Sequence, residues 1–411
     1  MRYQISGNRR TITGSINLPA SKSISNRVLI INALSFNPYP IKNLSDSDDT
    51  QVLAKALFSN HSHFNIGHAG TAMRFLTAFL STIAGTWQVT GSDRMKQRPI
   101  GILVEALNKL GAKIEYLENK GYPPLQISGS HLVGTPLTLD GSISSQYISA
   151  LLLIAPIIED GLTLQLNGNV TSRSYIELTL KLMARFDIKY SWEGNTIIVP
   201  EQNYLPGEFT IEADWSGASY WYQILALAER GEILLENLQL DSLQGDAYIA
   251  DWFKLFGITS SQKNEGVLIE KTNEVIPDNL QLDFIENPDV AQTIACLCVS
   301  LKVPFHFTGL KTLKIKETDR IAALQNELKK FGALIIEPAE GELSWDGRID
   351  SSIVEEVPVI KTYNDHRMAM AFAPMALSGN EIRIDDPMVV TKSYPRFWDD
   401  LKKVGFEVGN S

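Results

Sequence analysis

One phrase recurs along the chain: a helical stretch ends in a large apolar residue plus Gly or Asp, and an apolar strand, a polar turn and a second strand follow. We call the Gly or Asp that ends each helical stretch the pivot of the phrase. The pivots are Gly111, Asp187, Gly257, Gly332 and Gly405, and they are separated by 76, 70, 75 and 73 residues. Gly adopts the left-handed conformation at a helix C-terminus without steric cost, and Asp tolerates it better than most residues. The phrase therefore predicts five helix ends and a repeated α/β unit.

Dividing the 411 residues by a period of about 70 gives about six such units. The pattern at the expected sixth pivot, near Phe58, is faint. Chance similarity between helix–turn–strand units is the alternative, but the spacings vary by only 6 residues. Since single cores stop growing at roughly 250 to 300 residues, the length also predicts two or more domains.

The chain is acidic: 37 Lys and Arg residues against 47 Asp and Glu residues give a net charge of −10. Binders of nucleic acid or anionic membranes usually present a basic face, so neither class is expected. The longest apolar stretch, residues 148–158, is about half of the roughly 20 residues that a membrane span needs. The first residues lack the apolar core of a signal peptide, so a cytoplasmic location is expected.

Cysteine and histidine usage predicts no metal site. Cys296 and Cys298 fit neither a disulfide framework nor a zinc-site spacing, and we interpret them as buried thiols. His61 and His63 lie in a polar stretch with no third ligand nearby in sequence, and we interpret them as surface residues.

Seven small or polar clusters stand just before apolar helical runs, as in ASKSISNRVLIINAL and YNDHRMAMAFAPMAL. Such residues cap helix N-termini, where unpaired N–H groups and the helix dipole favour anions. Cations in or beside these starts are not explained by capping, and they are Lys22, Arg27, Arg74, Lys316, Arg320 and Arg367. Because cations at a positive helix end repel, we expect a bound anion to compensate them.

The segment SKSISNR carries the strongest of these patterns. Lys22 can act as a point charge, Ser23 as a cap or hydroxyl donor, and Arg27 as a fork for carboxylate or phosphate. If the helix begins at Ser23, Arg27 lies one turn along on the same face. A capped surface helix with solvated charges is the alternative, and the residues alone fit both.

Other starts suit an anionic, polyhydroxylated ligand. Gly67 and Gly70 let backbone N–H groups approach a ligand, and Thr71 can cap the following helix. A dense cationic loop follows, with Arg94, Lys96 and Arg98. Further helix starts offer hydroxyls, an amide and a guanidinium from Ser144, Ser145, Gln146, Ser172, Arg173 and Tyr175. Plain capping is the alternative for the serines.

Carboxylates stand beside cations in the C-terminal half. Asp289 follows Pro288 at a helix start, and the motif KETDR contains Lys316, Glu317, Asp319 and Arg320. Neighbouring charge and burial set the pKa values of such carboxylates, so they are candidates for proton transfer. A surface ion-pair network is the alternative. Further candidates follow at His366, Arg367 and Lys392.

Eight of these motifs occur in the order seen in the 5-enolpyruvylshikimate-3-phosphate synthases, which the chain resembles from Lys22 to Lys392. They are SKSISNR, HAGTAMR, RMKQRPIG, GSISSQ, the Asp of NPD, KETDR, YNDHRMAM and TKSYP. The resemblance implies an α/β fold of two inside-out, barrel-like lobes with three βαβαββ units each. Residues 1–18 plus 213–411 would form the first lobe and 19–212 the second, with the active site in the cleft between them.

The implied reaction transfers the enolpyruvyl group of phosphoenolpyruvate to the 5-hydroxyl of shikimate 3-phosphate by addition and elimination. It belongs to the shikimate pathway to chorismate and aromatic amino acids. Glu317 would move the proton at the methylene carbon, and Asp289 would be the base at the hydroxyl, a role that Lys22 can share. The resemblance implies no cofactor and no metal, and a monomer is expected.

The resemblance also assigns the ligand contacts. Those to shikimate 3-phosphate would come from Lys22, Ser23, Arg27, Ser144, Ser145, Gln146, Ser172, Tyr175, Asp289, Thr312 and Lys316. Those to phosphoenolpyruvate would come from Lys22, Gly70, Arg98, Gln146, Arg320, Arg367 and Lys392.

Four positions depart from the family pattern. His68 stands where Asn is common, Phe75 where Pro follows the Arg, Thr312 where Asn often contacts substrate, and Arg173-Ser174 where Lys-Pro is frequent. None removes a charge that the chemistry needs. Phe75 leaves the dimensions of the phosphoenolpyruvate pocket, and with them the sensitivity to glyphosate, open.

Two other functions are alternatives. A UDP-N-acetylglucosamine enolpyruvyl transferase shares the fold but relies on a Cys in a mobile loop, and the loop from Arg94 to Arg98 contains none. A non-catalytic binding protein on the same scaffold would be signalled by loss of a reacting residue. Asp289, Glu317 and the cations are all present.

Overall fold

A computed structural model describes residues 1–7, 11–142, 144–272, 276–379 and 381–411. The chain divides into two compact units, which we call unit 1 (Met1–Pro19 with Glu212–Ser411) and unit 2 (Ala20–Ile211). Each division lies one residue from a predicted lobe boundary. A cleft between lobes that holds the active site stays a prediction.

The elements of the first 211 residues begin with two strands of unit 1 and continue with the helices and strands of unit 2. They are β1 (Arg2–Ser6), β2 (Thr11–Asn17), α1 (Lys22–Leu34), β3 (Ile41–Lys42), α2 (Asp48–Leu57), β4 (His63–Asn65), α3 (Gly70–Ser81), β5 (Thr86–Thr90), α4 (Gly101–Lys109), β6 (Lys113–Tyr116), β7 (Leu125–Ser128), β8 (Leu137–Asp140), α5 (Ser145–Ile154), β9 (Leu162–Asn167), α6 (Arg173–Arg185), β10 (Ser191–Glu193), β11 (Thr196–Val199) and β12 (Phe209–Thr210).

The remaining elements all belong to unit 1. They are α7 (Trp215–Leu227), β13 (Arg230–Glu236), α8 (Ile249–Trp252), β14 (Ile258–Gln262), β15 (Gly266–Lys271), β16 (Leu280–Asp283), α9 (Ala291–Leu301), β17 (Phe305–Thr308), α10 (Arg320–Leu328), β18 (Leu343–Trp345), β19 (Val359–Ile360), α11 (His366–Phe372), β20 (Ile382–Asp385), α12 (Phe397–Lys403) and β21 (Glu407–Asn410).

The predicted βαβαββ unit is seen directly in unit 2. The chain order β4, α3, β5, α4, β6, β7 builds a sheet of order β4-β5-β7-β6, in which β4 and β5 are parallel and the other neighbours antiparallel. The next sheet, β8-β9-β11-β10, repeats this pattern around α5 and α6. The parallel pair needs a helical crossover, and this places a helix N-terminus after the first strand of each unit.

Unit 1 contains three further sheets. Two of them repeat the strand pattern of the unit 2 sheets, with the orders β2-β13-β15-β14 and β19-β20-β1-β21. The third has the order β16-β17-β18. In the sheet β19-β20-β1-β21, strand β1 comes from the start of the chain and lies between β20 and β21. The residues that the structure describes form three sheets in each unit, the third of unit 2 being the pair β3-β12, and this agrees with the prediction of six repeats.

The sixth repeat is reduced to the parallel pair β3-β12. Only residues 58–62 lie between α2 and β4, which is too short for the hairpin that the other units carry. Phe58 follows α2 with a φ of −94°, outside the left-handed region. Since α2 is followed directly by β4 of the next unit and not by a hairpin of its own unit, no left-handed helix end is needed there, and this explains the faint pivot.

The five strong pivots are confirmed as left-handed helix ends. Their φ values are 105° at Gly111, 66° at Asp187, 73° at Gly257, 81° at Gly332 and 96° at Gly405. Each pivot ends the second helix of its unit and turns the chain into the following strand or bridge. The repeat in the sequence is therefore a repeat of helix C-terminal geometry.

Buried helices occur in both units, and in unit 2 α5 buries nine of its ten residues. Every residue of α7 is buried, and α9 buries Cys296 and Cys298 completely, as expected. Burial raises the pKa of both thiols. His61 and His63 are exposed, as expected. No helix in the described part of the chain is both long and apolar enough to cross a membrane.

Candidate active site

The KETDR motif starts α10. Asp319 caps the helix by accepting hydrogen bonds from the N–H groups of Ile321 and Ala322, both at 3.1 Å. Because an N-cap side chain fixes where the first turn begins, Arg320 becomes the first helical residue. Arg320 as a whole is 1% exposed, so the alternative of a surface ion-pair network is wrong here.

Arg320 binds three carboxylates. Its Nε donates to Asp365 Oδ2 at 2.7 Å, its Nη1 to Asp289 Oδ1 at 2.9 Å and its Nη2 to Glu317 Oε2 at 2.9 Å. Burial alone would lower the pKa of Arg320, but the surrounding carboxylates, Asp365 foremost, raise it. A planar fork of five N–H donors suits this role, which a lysine could not fill.

Three further cations complete what we call the Arg320 cluster. Arg367 Nη2 lies 3.0 Å from Asp289 Oδ2, Lys316 Nζ lies 3.5 Å from Asp289 Oδ1, and Lys392 Nζ lies 2.9 Å from Glu317 Oε1. The members of the cluster are Asp289, Lys316, Glu317, Arg320, Asp365, Arg367 and Lys392. All of the residues of unit 1 that were predicted to bind or react, except Thr312, lie in this cluster.

Helix N-termini and short helical turns position these side chains. Asp365 caps α11 by accepting from Arg367 N at 3.0 Å, and the turn Pro288–Val290 presents Asp289 just before α9. Thr312 lies in the turn Lys311–Ile315, and its buried hydroxyl has no hydrogen-bond partner in the described part of the chain. A ligand hydroxyl would satisfy this group.

The pKa of Asp289 is set by opposing effects. Burial raises it, but Arg367, Lys316 and Arg320 together hold it well below its usual value. Lys316 has a lowered pKa because burial outweighs the attraction of the carboxylates. Asp289 is thus ionised, the form that a general base requires, although the three cations that lower its pKa also weaken it as a base.

We expect Asp289 to stabilise the fold above pH 4, and Asp289→Asn to remove that stabilisation. A carboxyl whose folded pKa lies below its unfolded value of about 3.9 contributes fully above that value and loses its contribution as the pH falls through the folded pKa. The difference in thermal midpoint between wild type and variant should be constant from pH 8 to 5 and shrink below pH 4. A difference that grows on acidification would contradict the sign.

In unit 2 the segment SKSISNR opens α1. The cap is Ser21, whose Oγ accepts from Ile24 N at 3.4 Å, and the helix begins at Lys22. The expected start at Ser23 is therefore one residue too late, because a preceding serine takes the cap. Lys22 Nζ pairs with Asp49 Oδ2 at 3.2 Å.

Arg27 is buried among neutral acceptors. Its Nε donates to Thr179 Oγ1 at 2.7 Å, its Nη1 to Ser23 O at 2.8 Å, and its Nη2 to Ser149 Oγ and Tyr175 O, both at 3.2 Å. These contacts join the N-terminal parts of α1, α5 and α6. Burial lowers the pKa of Arg27 to about 10.

Phe75 packs against this cation. Its ring centroid lies 5.4 Å from Cζ of Arg27, within cation–π range, so the departure from the family pattern places an aromatic face beside a candidate ligand group.

Gly70 and Arg98 are in direct contact. A Cβ atom at Gly70 would lie 2.5 Å from Nη1 of Arg98, closer than any carbon can approach. Gly70 is the first residue of α3 and Ala69 precedes it, so Thr71 lies inside the helix and is not its cap, contrary to expectation. Arg74 Nη2 donates to Pro99 O at 2.7 Å and so fixes the residue that follows Arg98.

The remaining candidates of unit 2 lie at helix starts as predicted. Ser144 caps α5 by accepting from Gln146 N at 3.4 Å, and Ser145 is the first residue of that helix. Ser172 precedes α6 with a left-handed φ of 53° and makes no capping hydrogen bond, so plain capping does not explain it. Non-glycine residues held in this region are strained and cluster at functional sites.

Two other charged candidates, Lys96 and Arg173, form ion pairs outside the candidate site. Lys96 pairs with Glu118 at 2.7 Å, and Arg173 pairs with Glu177 at 3.0 Å while its guanidinium covers the ring of Trp192. Of the dense cationic loop, only Arg98 was assigned to the site, and it is buried. No group of three metal-ligating side chains occurs within the ranges that the structure describes.

Sequence reasoning missed partners that the fold brings together. Asp49 and Asp365 bind predicted cations, and Ser149 and Thr179 bind Arg27. Asp365 could have been found, since it stands at a helix start inside YNDHRMAM. Asp49, Ser149 and Thr179 carry no such signal, because their partners are 27, 122 and 152 residues away.

The geometry can be compared with known proteins. The family model described as EPSP synthase (3-phosphoshikimate 1-carboxyvinyltransferase) matches residues 7–59 and 56–401. The chain belongs to the EPSP synthase family. A relative from Bacteroides fragilis, named 3-phosphoshikimate 1-carboxyvinyltransferase, is 51% identical over 410 residues and covers 99% of each chain. One of the same name from Aliivibrio fischeri is 37% identical over 422 residues, covering 96% of this chain and 97% of the relative.

Solved structures show the EPSP synthase fold. An EPSP synthase from Acinetobacter baumannii superimposes with a TM-score of 0.80 and covers 100% of both chains at 20% identity. The predicted family and its α/β fold are confirmed.

Proposed function

We propose that the Arg320 cluster of unit 1 and the helix starts of unit 2 bind and react the two substrates of the family. As a 3-phosphoshikimate 1-carboxyvinyltransferase, the chain transfers the enolpyruvyl group of phosphoenolpyruvate to the 5-hydroxyl of shikimate 3-phosphate. The observation that carries the residue assignment is Arg320, a buried guanidinium that binds Asp289 and Glu317 at 2.9 Å each. It places two carboxylates with different neighbours on either side of one cation.

Two carboxylates are what the reaction requires. The 5-oxygen of shikimate 3-phosphate forms a bond to C2 of phosphoenolpyruvate while its proton goes to a base, and C3 gains a proton from an acid. The C2–O bond to phosphate then breaks as C3 loses a proton. We assign the base to Asp289, whose cations keep it ionised, and the proton transfer at C3 to Glu317.

Glu317 is held between Lys392 and Arg320, at 2.9 Å from each. These two cations are also the groups that we assign to the phosphate and carboxylate of phosphoenolpyruvate, together with Arg367. As the ligand engages them, Glu317 loses its counter-ions and gains affinity for a proton. The binding groups thus prepare the acid, and the same cations stabilise the departing phosphate.

Arg27 supports the assignment of shikimate 3-phosphate to unit 2. Its acceptors are hydroxyls and carbonyls, so within the described part of the chain no carboxylate contacts it. A buried cation with only neutral partners is costly, and an anionic ligand offsets that cost. Ser23, Ser144, Ser145, Gln146, Ser172 and Tyr175 lie at the starts of α1, α5 and α6 and are assigned to the same ligand.

Lys22 is assigned to both ligands and remains the second candidate for deprotonating the hydroxyl. Its Nζ is held by Asp49, at 3.2 Å, which keeps the lysine beside the start of α1. Thr312 is assigned to a hydroxyl of shikimate 3-phosphate because its own hydroxyl is unsatisfied. A cytoplasmic location and a monomeric state stay predictions.

Gly70→Ala tests the phosphoenolpyruvate assignment. The new Cβ would lie 2.5 Å from Arg98, so the guanidinium must move away from the position that Gly70 now leaves open. We expect KM for phosphoenolpyruvate to rise about tenfold or more, with KM for shikimate 3-phosphate changed less.

Gly101→Ala is the matched control, because Gly101 also begins a helix and its Cβ would meet nothing closer than 3.3 Å. Steady-state kinetics with each substrate varied in turn measures both values. Equal KM values in the two variants would argue against placing phosphoenolpyruvate at Gly70 and Arg98.

Release of inorganic phosphate from shikimate 3-phosphate plus phosphoenolpyruvate, catalysed by purified protein, tests the function. Each substrate alone serves as the control, and release is expected only with both. Release with UDP-N-acetylglucosamine in place of shikimate 3-phosphate would support the sister transferase. Binding of both substrates without release would support the non-catalytic alternative.

A further inference from the structure

Asp246 is a buried carboxylate beside the Arg320 cluster that the chemistry above does not use. It lies in the helical turn Gly245–Tyr248 and is 4% exposed. The hydroxyl of Ser216 donates to its Oδ2, and the amide of Asn287 donates to its Oδ1 at 3.4 Å. Ser216 and Asn287 are themselves buried, so this carboxylate is bound by protein groups on both of its oxygens.

Ser216 connects Asp246 to Arg367. Arg367 Nη2 donates to Ser216 Oγ at 3.3 Å and to Asp289 Oδ2 at 3.0 Å. A serine hydroxyl has one proton to donate. Because Ser216 gives that proton to Asp246, its lone pairs are left for Arg367. Without Asp246 the hydroxyl could rotate and point its proton at the guanidinium, which would remove an acceptor from a buried cation.

Asn287 connects Asp246 to Asp289 by a second route. Asn287 stands two residues before Asp289, directly ahead of the turn Pro288–Val290. Asp246 therefore contacts Ser216, which binds Arg367, and Asn287, which stands two residues before Asp289 in the chain. Electrostatics shows the same proximity: burial first and the charge of Asp289 second raise the pKa of Asp246, whereas Arg367 lowers it.

The segment that carries Asp246 is held in place by other contacts. Gln244 Oε1 accepts from Trp215 N at 3.2 Å, and Gln244 Nε2 donates to Ala213 O at 2.8 Å. These bonds fix the segment against the first turn of α7 whatever the charge at Asp246. A substitution that keeps the shape of Asp246 therefore changes the hydrogen-bond directions more than the fold.

We propose that Asp246 is a positioning residue, which directs Ser216 and Asn287 so that Arg367 and Asp289 keep the geometry needed for phosphoenolpyruvate and for the 5-hydroxyl. The inference rests on the proposed function, in which Arg367 binds phosphoenolpyruvate and Asp289 is the base. It adds Asp246 and Ser216 to the residues on which turnover depends, although neither is assigned a contact with substrate.

The test compares Asp246→Asn, Ser216→Ala and the double variant by phosphate release, with kcat and both KM values measured and thermal midpoints recorded. We expect each single variant to lower kcat/KM for phosphoenolpyruvate by about 10- to 100-fold, the range for losing a hydrogen bond to a charged group. Because Ser216→Ala acts only through the hydroxyl that Asp246 directs, the double variant should be little worse than Asp246→Asn alone.

Tyr222→Phe is the matched control. It also removes a buried hydroxyl from α7, but that hydroxyl bonds Ser260, at 2.7 Å, and has no part in the site. Its kcat/KM should equal that of the wild type. Single variants that lower only the thermal midpoint, or effects that multiply in the double variant, would overturn the inference. An inactive wild type would instead count against the proposed function.

Discussion

Glu317→Gln should lower kcat by about 100- to 10,000-fold, the usual contribution of a positioned general acid or base. The amide has nearly the shape of the carboxyl but neither gives nor takes a proton at C3 of phosphoenolpyruvate. It also no longer competes for Lys392 and Arg320, so binding of phosphoenolpyruvate should be retained or tighter. Single-turnover kinetics for the chemical step and calorimetry for binding measure the two effects separately.

Glu337→Gln is a suitable control for this substitution. Glu337 lies in the same unit and also pairs with a lysine, Lys314, at 2.8 Å, but it has no contact with the cluster. Its kcat should be unchanged. Turnover by Glu317→Gln at the rate of that control would refute the assignment of the acid.

Arg320→Met should destabilise the protein by about 3 to 5 kcal/mol, the range for removing one partner of a buried ion pair. The substitution leaves Asp365, whose side chain is 0% exposed, without its guanidinium. Adding Asp365→Asn should restore part of this loss, because Asn removes the buried charge and can still cap α11. Chemical denaturation of both variants and of Asp365→Asn alone completes the cycle.

Arg348→Met provides the surface comparison. Arg348 pairs with Asp346 at 3.6 Å and is 89% exposed, so its loss should be hardly measurable. The contrast tests burial and not the mere presence of an ion pair. An Arg320→Met protein as stable as Arg348→Met would contradict the expected cost of the uncompensated carboxylate.

Local chemistry made much of the fold predictable from the sequence. A left-handed helix end demands Gly or a residue such as Asp at a fixed place, and this requirement marked Gly111, Asp187, Gly257 and Gly332 at a regular spacing. The reduced sixth unit was visible only as a faint pivot. The pairing of β1 with β20 and β21 could not be predicted from the sequence, because strand pairing across nearly 400 residues leaves no local pattern.

The candidate site was predictable where charge and helix starts coincide. Lys316, Glu317 and Arg320 stand within five residues, and their motif predicted both a helix start and carboxylates beside cations. The exact cap of α1 was missed because Ser21 and Ser23 offer the same side chain two residues apart. Asp49 was missed because only the fold brings it to Lys22, and Asp246 because only the fold brings it to Ser216 and Asn287.

The Arg320 cluster behaves like a loaded ion exchanger. Its four cations already face three carboxylates, and Asp289 and Glu317 each hold more than one of these cations. An incoming anion therefore competes with these internal carboxylates for the same cations. Chloride, with a single charge and no directed oxygens, is expected to be a poor competitor for cations that are already paired. Under the proposed function, a ligand that carries phosphate and carboxylate together can meet several cations at once, and we expect this valence to favour it over single anions such as chloride.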